Sequence, residues 1–185
     1  IRMKEENFNI DETNLSVDLS DATQAVKDNR FEDAISLLRV ILKENPKNID
    51  SLYLAAVSSR YLKKFKESKK YIDDLLVNAP DMARAFQELA HLNRDMGNEE
   101  KAVMHYRQAC ELNPALIGSW RFLFKYFVKN QNKPAAEHAG KQIKKLESLP
   151  GVLLYIDQIL NEGRLGAAEA KCRAFLKENP THTYA

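Results

Sequence analysis

The residues able to do chemistry in this chain are scattered rather than assembled. The histidines His91, His105, His138 and His182 have no partner at i+4 and fall in no HExxH pair, the spacing by which one helix face offers two imidazoles to zinc. Cys110 and Cys172 stand far apart in the chain without a second pair, which fits neither a disulfide framework nor a structural zinc site. Both are expected as buried thiols. The six glycines form neither GxGxxG nor a phosphate loop. Asp73-Asp74 and Glu99-Glu100 are adjacent pairs, which point to different sides of a helix and cannot act together as paired acids. Trp120 and the run from Phe122 to Phe127 resemble a ligand box, but at helical spacing they read as core filling, with Phe122 the one expected at the surface. The sequence therefore predicts no catalytic residue, no metal and no cofactor, and the chain is read as a non-enzyme.

Composition indicates a folded, helical chain. Of its 185 residues 44% are hydrophobic and 29% charged, too apolar for disorder and weighted toward Ala, Leu, Glu and Lys. The 28 basic and 26 acidic residues leave a formal charge of +2, which gives no global reason to expect nucleic acid or an anionic membrane. No apolar run approaches the roughly 18 to 20 residues of a membrane span. Ile1 to Ile10 is polar rather than signal-like, so the expectation is a cytoplasmic protein. Asn14-Leu15-Ser16 fits a glycosylation tripeptide, but such tripeptides occur by chance. The chain starts with Ile-Arg-Met and stops at Tyr184-Ala185, and it reads as a piece of something longer.

The elements that must position any functional residue are marked by proline. Pro46, Pro80 and Pro114 recur at an even interval of about 34 residues, each closing an apolar, helix-patterned stretch. Pro180 follows just short of two further intervals. Proline lacks an N–H and clashes with the preceding turn, so it punctuates helices. The resulting units are 15–48, 49–82, 83–116, 117–148 and 149–182, the fourth two residues short. A turn residue recurs midway in each: Asn29, Lys63, Gly97, Gln131 and Gly163. Asn and Gly tolerate the left-handed conformation that ends helices, so each unit is expected to be two antiparallel helices of roughly three turns. Pro134 then falls at a helix start, where its fixed φ is harmless. Residues 1–14 are a polar tail in which Phe8 and Ile10 could dock on the first helix, and 183–185 begin a truncated following helix.

Within this frame one row holds only small residues, Ala34, Ser68, Ala102, Ala136 and Ala168. A second reads Ala22, Ala56, Ala90, Phe124 and Ile156, and a third Leu38, Ile72, Tyr106, Gly140 and Cys172. A fourth, Ile41, Leu75, Ala109, Ile143 and Phe175, fills space between neighbouring helices. The pattern resembles the tetratricopeptide repeat (TPR) family, most fully over 83–116 through Phe86, Leu89, Ala90, Gly97, Ala102, Tyr106, Ala109 and Pro114. That resemblance implies an all-α fold, a right-handed α-solenoid of about five helix pairs, in which the small row lets each second helix approach its first. Unit 15–48 carries Asp18 and Asp21 where apolar residues are expected, as an end unit with a solvent-facing side would. Unit 117–148 departs most, being short and having Gly140 for a bulky residue, and a local change of superhelical pitch is expected there.

Stacked hairpins bury a continuous core and curve, leaving a concave surface lined by first helices. The family's groove-facing positions fall on Asp50, Tyr53, Val57, Arg60 and Tyr61, then Arg84, Gln87, His91, Arg94 and Asp95, then Gly118, Arg121, Lys125, Val128 and Lys129. The resemblance implies a protein or peptide partner held at Tyr53, Arg60, Tyr61, Arg84, Gln87, His91, Arg94, Arg121, Lys125 and Lys129. Six cations against two carboxylates on that face point to an acidic partner held by Arg forks and Tyr faces. The competing reading is a solvated polar face. The family's two-carboxylate clamp for chaperone C-termini is not reproduced, because its places hold Leu19, Thr23, Leu54, Arg84 and Glu88.

Two other readings compete. Leu149-Pro150, Leu153-Leu154, Gly163-Arg164-Leu165, Ala168-Glu169 and Leu176 with Asn179-Pro180 resemble the repeats preceding the catalytic domain of bacterial TPR-containing sulfotransferases, which would make the chain the scaffold segment of a larger enzyme. Unit 117–148 has seven basic residues and two acidic ones, and basic patches beside aromatics can grip single-stranded RNA. Its charges are spread round the helices, so nucleic acid is not the expected partner, and the oligomeric state is left open.

Overall fold

The computed structural model describes residues 18–161 and 165–180. The polar tail, Asn14, Gly163, His182 and the stretch 183–185 lie outside the described residues, which form ten helices and no strand. The first hairpin is α1 (Leu19–Lys27) and α2 (Phe31–Glu44), the second α3 (Ile49–Tyr61) and α4 (Phe65–Asn78), and the third α5 (Ala83–Asp95) and α6 (Glu99–Leu112). The fourth is α7 (Ile117–Lys129) and α8 (Lys133–Glu147), and the fifth α9 (Gly151–Asn161) and α10 (Leu165–Glu178). From α3 on, the first helices begin at a constant interval, at Ile49, Ala83, Ile117 and Gly151. The second helices keep the same interval from Phe31 through Phe65 and Glu99 to Lys133, and the last of them, at Leu165, starts two positions early. The helices thus place the shortening between the start of α9 and the start of α10.

Local sequence sets the ends of these helices. Asp18 caps α1 by accepting from the Ser20 N–H, so it sits just outside the helix rather than within it, and Asn48 caps α3 by accepting from the Ser51 N–H at 2.8 Å. Asn132 does the same for α8, whose first turn holds Pro134. Each cap satisfies an N–H that the helix itself leaves unpaired. Between the helices of the first four hairpins the chain turns at Asn29, Lys63, Gly97 and Gln131, all with φ between 56° and 79°. The same two hydrogen bonds close every turn: at the second, Lys63 N–H donates to the Arg60 carbonyl and Lys64 N–H to the Ser59 carbonyl, both at 2.9 Å. This is a Schellman ending, and it requires the left-handed conformation even where the residue is lysine or glutamine.

Packing starts where the two helices of a hairpin cross. Ala34, Ser68, Ala102, Ala136 and Ala168 are all buried there. Ser68 pairs its hydroxyl with the Ala56 carbonyl at 2.9 Å, which removes the cost of burying it. Between hairpins the larger residues interlock: Leu38 with Ala55, Ile72 with Leu89 and Leu92, and Tyr106 with Leu123 and Phe122. Each such residue, fully buried, contributes roughly 1.5–3 kcal/mol. The fourth hairpin inverts the pattern. Phe124 occupies a place that is alanine in the first three, and its ring lies 3.4 Å from where a Cβ on Gly140 would be. Among its aromatics Phe124 is the exposed one, at 38%, whereas Phe122 packs on Tyr106 with ring centroids 4.4 Å apart. The expectation for Phe122 is thereby corrected: the ring of Tyr106 covers it.

The left-handed turns make an opposed pair of predictions. Lys63→Gly is expected to raise stability by about 0.5–1 kcal/mol, the left-handed cost less the extra chain entropy of glycine. Gly97→Ala, where no atom lies within 4 Å of the added Cβ, is expected to lower it by about 1 kcal/mol through backbone strain alone. Urea unfolding followed by circular dichroism measures both.

Candidate functional site

Helices α3, α5 and α7 stand side by side because each is the first helix of consecutive hairpins, and polar links stitch them together. The Arg84 guanidinium of α5 lies 4.5 Å over the Tyr53 ring of α3, a cation–π contact. Gln87 donates from Nε2 to the Ser119 hydroxyl of α7 at 2.9 Å. Residues from successive units are therefore brought together along one run of the surface.

The densest cluster joins α3 and α5. Arg60 is only 7% exposed and donates from Nε to Glu88 at 2.5 Å and from Nη1 to Asp95 at 2.8 Å. Burial pushes the Glu88 carboxyl up while Arg60 opposes it. Asp95 is also raised by burial, but its hydrogen bonds from Arg60 and Arg94 prevail and hold it below the usual carboxylate range. The Arg60 guanidinium also lies 4.5 Å over the ring of Tyr61, whose other neighbour is the stacked ring of Phe31 at 4.5 Å. His91 Nδ1 and the Tyr106 hydroxyl share a hydrogen bond of 2.6 Å. Burial, reinforced by Arg60 and Arg94, pushes His91 down to about 4, and burial pushes Tyr106 up to about 12. At neutral pH this is an uncharged imidazole against an un-ionised phenol. Beside the cluster opens a pocket of about 550 Å³ lined by Arg60, Tyr61, Lys63, Phe65, His91, Arg94 and Asp95.

Further along, the cations of α7 are placed differently. Arg121 reaches Glu147 on α8 at 2.9 Å, and Lys129 reaches Glu99 on α6 at 2.8 Å. These pairs are exposed, and Lys125 on the same helix is exposed too. The structure thus gathers Arg60, Tyr61, His91 and Arg94 in one pocket and Tyr53 with Arg84 beside it. Arg121, Lys125 and Lys129 lie on the next helix. Sequence reasoning missed the carboxylates that answer these cations, Glu88, Glu99 and Glu147. Arg60–Glu88 and Arg39–Glu67 are both ion pairs 28 residues apart, but the first joins the first helices α3 and α5 and the second joins the second helices α2 and α4, so no single repeat position announces them. Among the described residues no group of three His, Cys, Asp or Glu could hold a metal ion, and no described helix is long and apolar enough to cross a membrane.

Residues 83–116 match a family model described as a tetratricopeptide repeat. No curated protein matches the sequence. Among solved structures the fold is similar to MamA from Desulfovibrio magneticus RS-1, at a TM-score of 0.59 and 19% identity over 68% of this chain and 71% of that one. A thermophilic TPR protein of Thermus thermophilus matches at 0.58 and 22% identity, over 88% of this chain and 90% of that one. The structure of Naa15/Naa10 bound to HypK-THB matches at 0.61 and 18% identity, over 86% of this chain but 24% of that one. At these identities the likeness is one of fold.

Two expected outcomes follow from the Arg60 cluster. Arg60→Ala leaves Glu88 buried and uncompensated and is expected to cost about 3–5 kcal/mol, whereas the double change Arg60→Met, Glu88→Leu is expected to be near neutral; urea unfolding compares them. His91, whose usual pKa is about 6.5, binds a proton in the unfolded chain before it does in the folded one. Its contribution is therefore complete above that value and lost as pH falls toward about 4, by an amount on the order of 3 kcal/mol. His91→Gln should flatten the stability profile over that window; a profile as steep as before would show that other groups carry it.

Proposed function

We propose that this chain, whose third hairpin matches a tetratricopeptide-repeat model, is a protein-interaction scaffold that holds a partner peptide or domain along the first helices of its second, third and fourth hairpins. The observation that carries the reading is the pocket between α3 and α5, where side chains from two hairpins converge around Tyr61, Arg60, His91 and Arg94. A rigid floor lies beneath it, because Arg60 is locked by two carboxylates and His91 by Tyr106. Exposed above that floor is the Tyr61 ring, at 56%. Aromatic and arginine side chains on a rigid support are the kind that dominate interface energetics.

An acidic partner is the finer part of the proposal. Arg121–Glu147 and Lys129–Glu99 are exposed pairs, worth about 0–1 kcal/mol each. A partner's carboxylate can exchange for Glu147 or Glu99 at little cost, and Lys125 between them adds a further charge. Arg60 cannot be recruited in this way, and its role is to hold the floor. The neighbouring structure of Naa15/Naa10 is bound to HypK-THB, and a protein ligand for this chain follows the same pattern. The two cysteines are free thiols, which fits the reducing cytoplasm the proposal assumes.

The test is affinity capture from native lysate with the wild-type chain and with Arg94→Glu/Arg121→Glu. Capture of a common set of proteins should fall at least tenfold in the variant, with helicity by circular dichroism unchanged. Equal capture by both would reject this surface as the binding site.

A further inference from the structure

The first helices α3, α5 and α7 start at Ile49, Ala83 and Ile117, one repeat apart each time. Arg94 therefore stands on α5 where Arg60 stands on α3. Arg60 is answered across its junction by two carboxylates of α5, Glu88 and Asp95, which lie 28 and 35 positions further along the chain. The same two steps from Arg94 lead to Phe122 and Lys129 of α7. One junction is thus closed by acids, and the next offers an aromatic ring and a second cation in their places. Helix α7 holds no acidic residue at all.

Among the described residues Arg94 has one carboxylate, Asp95, the next residue of its own helix, which receives Nε at 3.0 Å and Nη2 at 2.8 Å through a single oxygen. The other oxygen of Asp95 belongs to Arg60. Nη1 comes no nearer than 3.5 Å to the Tyr106 hydroxyl, longer than an ordinary hydrogen bond. The outer edge of the guanidinium fork, Nη1 with the second N–H of Nη2, is therefore left to be used. The Arg60 side chain is 7% exposed, whereas that of Arg94 is 44%. Glu99, which opens α6 just after α5 ends, holds Lys129 at 2.8 Å in a pair exposed on both sides. In the place of Glu88 lies an apolar ring, Phe122, packed on Tyr106, and an apolar neighbour strengthens the attraction of a cation for an anion by excluding water on that side.

We propose that the junction of α5 and α7, between Arg94 and Lys129, is a seat for one carboxylate of the partner, an Asp or Glu side chain presented from its surface. This rests on the scaffold reading above and names the group that the surface takes. The chain itself states the occupant, because at the preceding junction the same place is filled by carboxylate side chains of a helix, Glu88 and Asp95. Arg94 supplies the outer edge of its fork, whose two donors match the two oxygens of a carboxylate. Lys129 exchanges Glu99 for the same group at little cost, since that pair is exposed. A bound acid then ties α5 to α7 as Glu88 and Asp95 tie α3 to α5.

Binding of a hexaglutamate peptide capped at both ends, followed by fluorescence anisotropy at fixed ionic strength, tests the seat in the purified full chain. Arg94→Gln and Lys129→Gln are each expected to weaken binding about threefold to fivefold, the upper range for one exposed ion pair. Lys43→Gln removes the same charge from the exposed surface of α2 and should leave binding unchanged. Lys129→Asp supplies the missing carboxylate from within, so it should weaken binding further than Lys129→Gln, and adding Arg94→Gln to it should change nothing more. Circular dichroism checks each fold, and Lys129→Gln, which touches only an exposed pair, decides if Arg94→Gln unfolds. Equal weakening by all three glutamine variants would reduce the effect to net charge and overturn the seat. Displacement of hexaglutamate by an alanine peptide with a free C-terminal carboxylate would assign the place to a chain terminus and overturn the side-chain occupant. Because the ligand is synthetic, the seat can fail while the loss of lysate capture in Arg94→Glu/Arg121→Glu stands, so the two failures are told apart.

Discussion

Two helices can cross closely only if neither carries more than a methyl or hydroxyl group at the point of contact. Ala22 meets Ala34, Ala56 meets Ser68 and Ala90 meets Ala102, all fully buried. That closeness determines the rest of the array. With the crossing filled by small groups, the bulky residues one turn further on, Leu38, Ile72 and Tyr106, have no room inside their own hairpin and project into the next. A hairpin therefore cannot satisfy its own core, and the stack is what satisfies it. The fourth hairpin shows the constraint from the other side. With Phe124 at the crossing, the residue one turn on must shrink to Gly140, and the outward knob that would hold the next hairpin is lost.

The fold was legible because its information is periodic. Prolines at 46, 80 and 114 and the small row can be read without knowing any contact, and helices α3, α5 and α7 start at Ile49, Ala83 and Ile117, while α1 and α9 start at Leu19 and Gly151. Helix ends were legible in part. Asn29 and Gly97 announced a left-handed turn, while Lys63 and Gln131 adopt the same φ with no signal in their residue type; the neighbouring packing imposes it. The shortening was visible as two missing residues before Pro180 and was read into unit 117–148, whereas the helices place it between the start of α9 and the start of α10, since a proline marks only the end of a unit. The candidate site was less legible still. Periodicity assigns each cation an address on a first helix but not its partner, because Glu88, Glu99 and Glu147 lie on other helices at separations of 26 to 30 residues.

Those partners change what the surface charge means. A count along the first helices suggests a strongly basic groove, yet Arg60, Arg94, Arg121 and Lys129 each face a carboxylate. What distinguishes them is burial. The Arg60 pair is withdrawn from water and can be broken only at a cost of several kcal/mol. The Arg121 and Lys129 pairs sit in solvent and exchange readily. Position along a repeat does not separate the two kinds, since both occur on groove-facing rows. Depth does, because a cation beneath Tyr61 is locked in place and one at the rim can exchange its partner.

Interactions in a solenoid reach only the nearest neighbour, so the strength of each junction is a local property. Hairpins two and three are joined by apolar packing of Ile72 on Leu89 and by the Arg60 network, which ties α3 to both Glu88 and Asp95. Hairpins three and four are joined through Tyr106, Phe122 and Leu123 and by Gln87 on Ser119. In the fourth hairpin the middle of α8 supplies no such residue toward the fifth, because Gly140 offers no knob and Lys144 no apolar surface. The chain thus concentrates its rigidity where α3 and α5 hold the pocket. A binding surface needs its anchoring side chains fixed before the partner arrives, since ordering them afterwards subtracts from affinity. The same economy does not apply to the end of the array, where a weak junction leaves the pocket's geometry untouched.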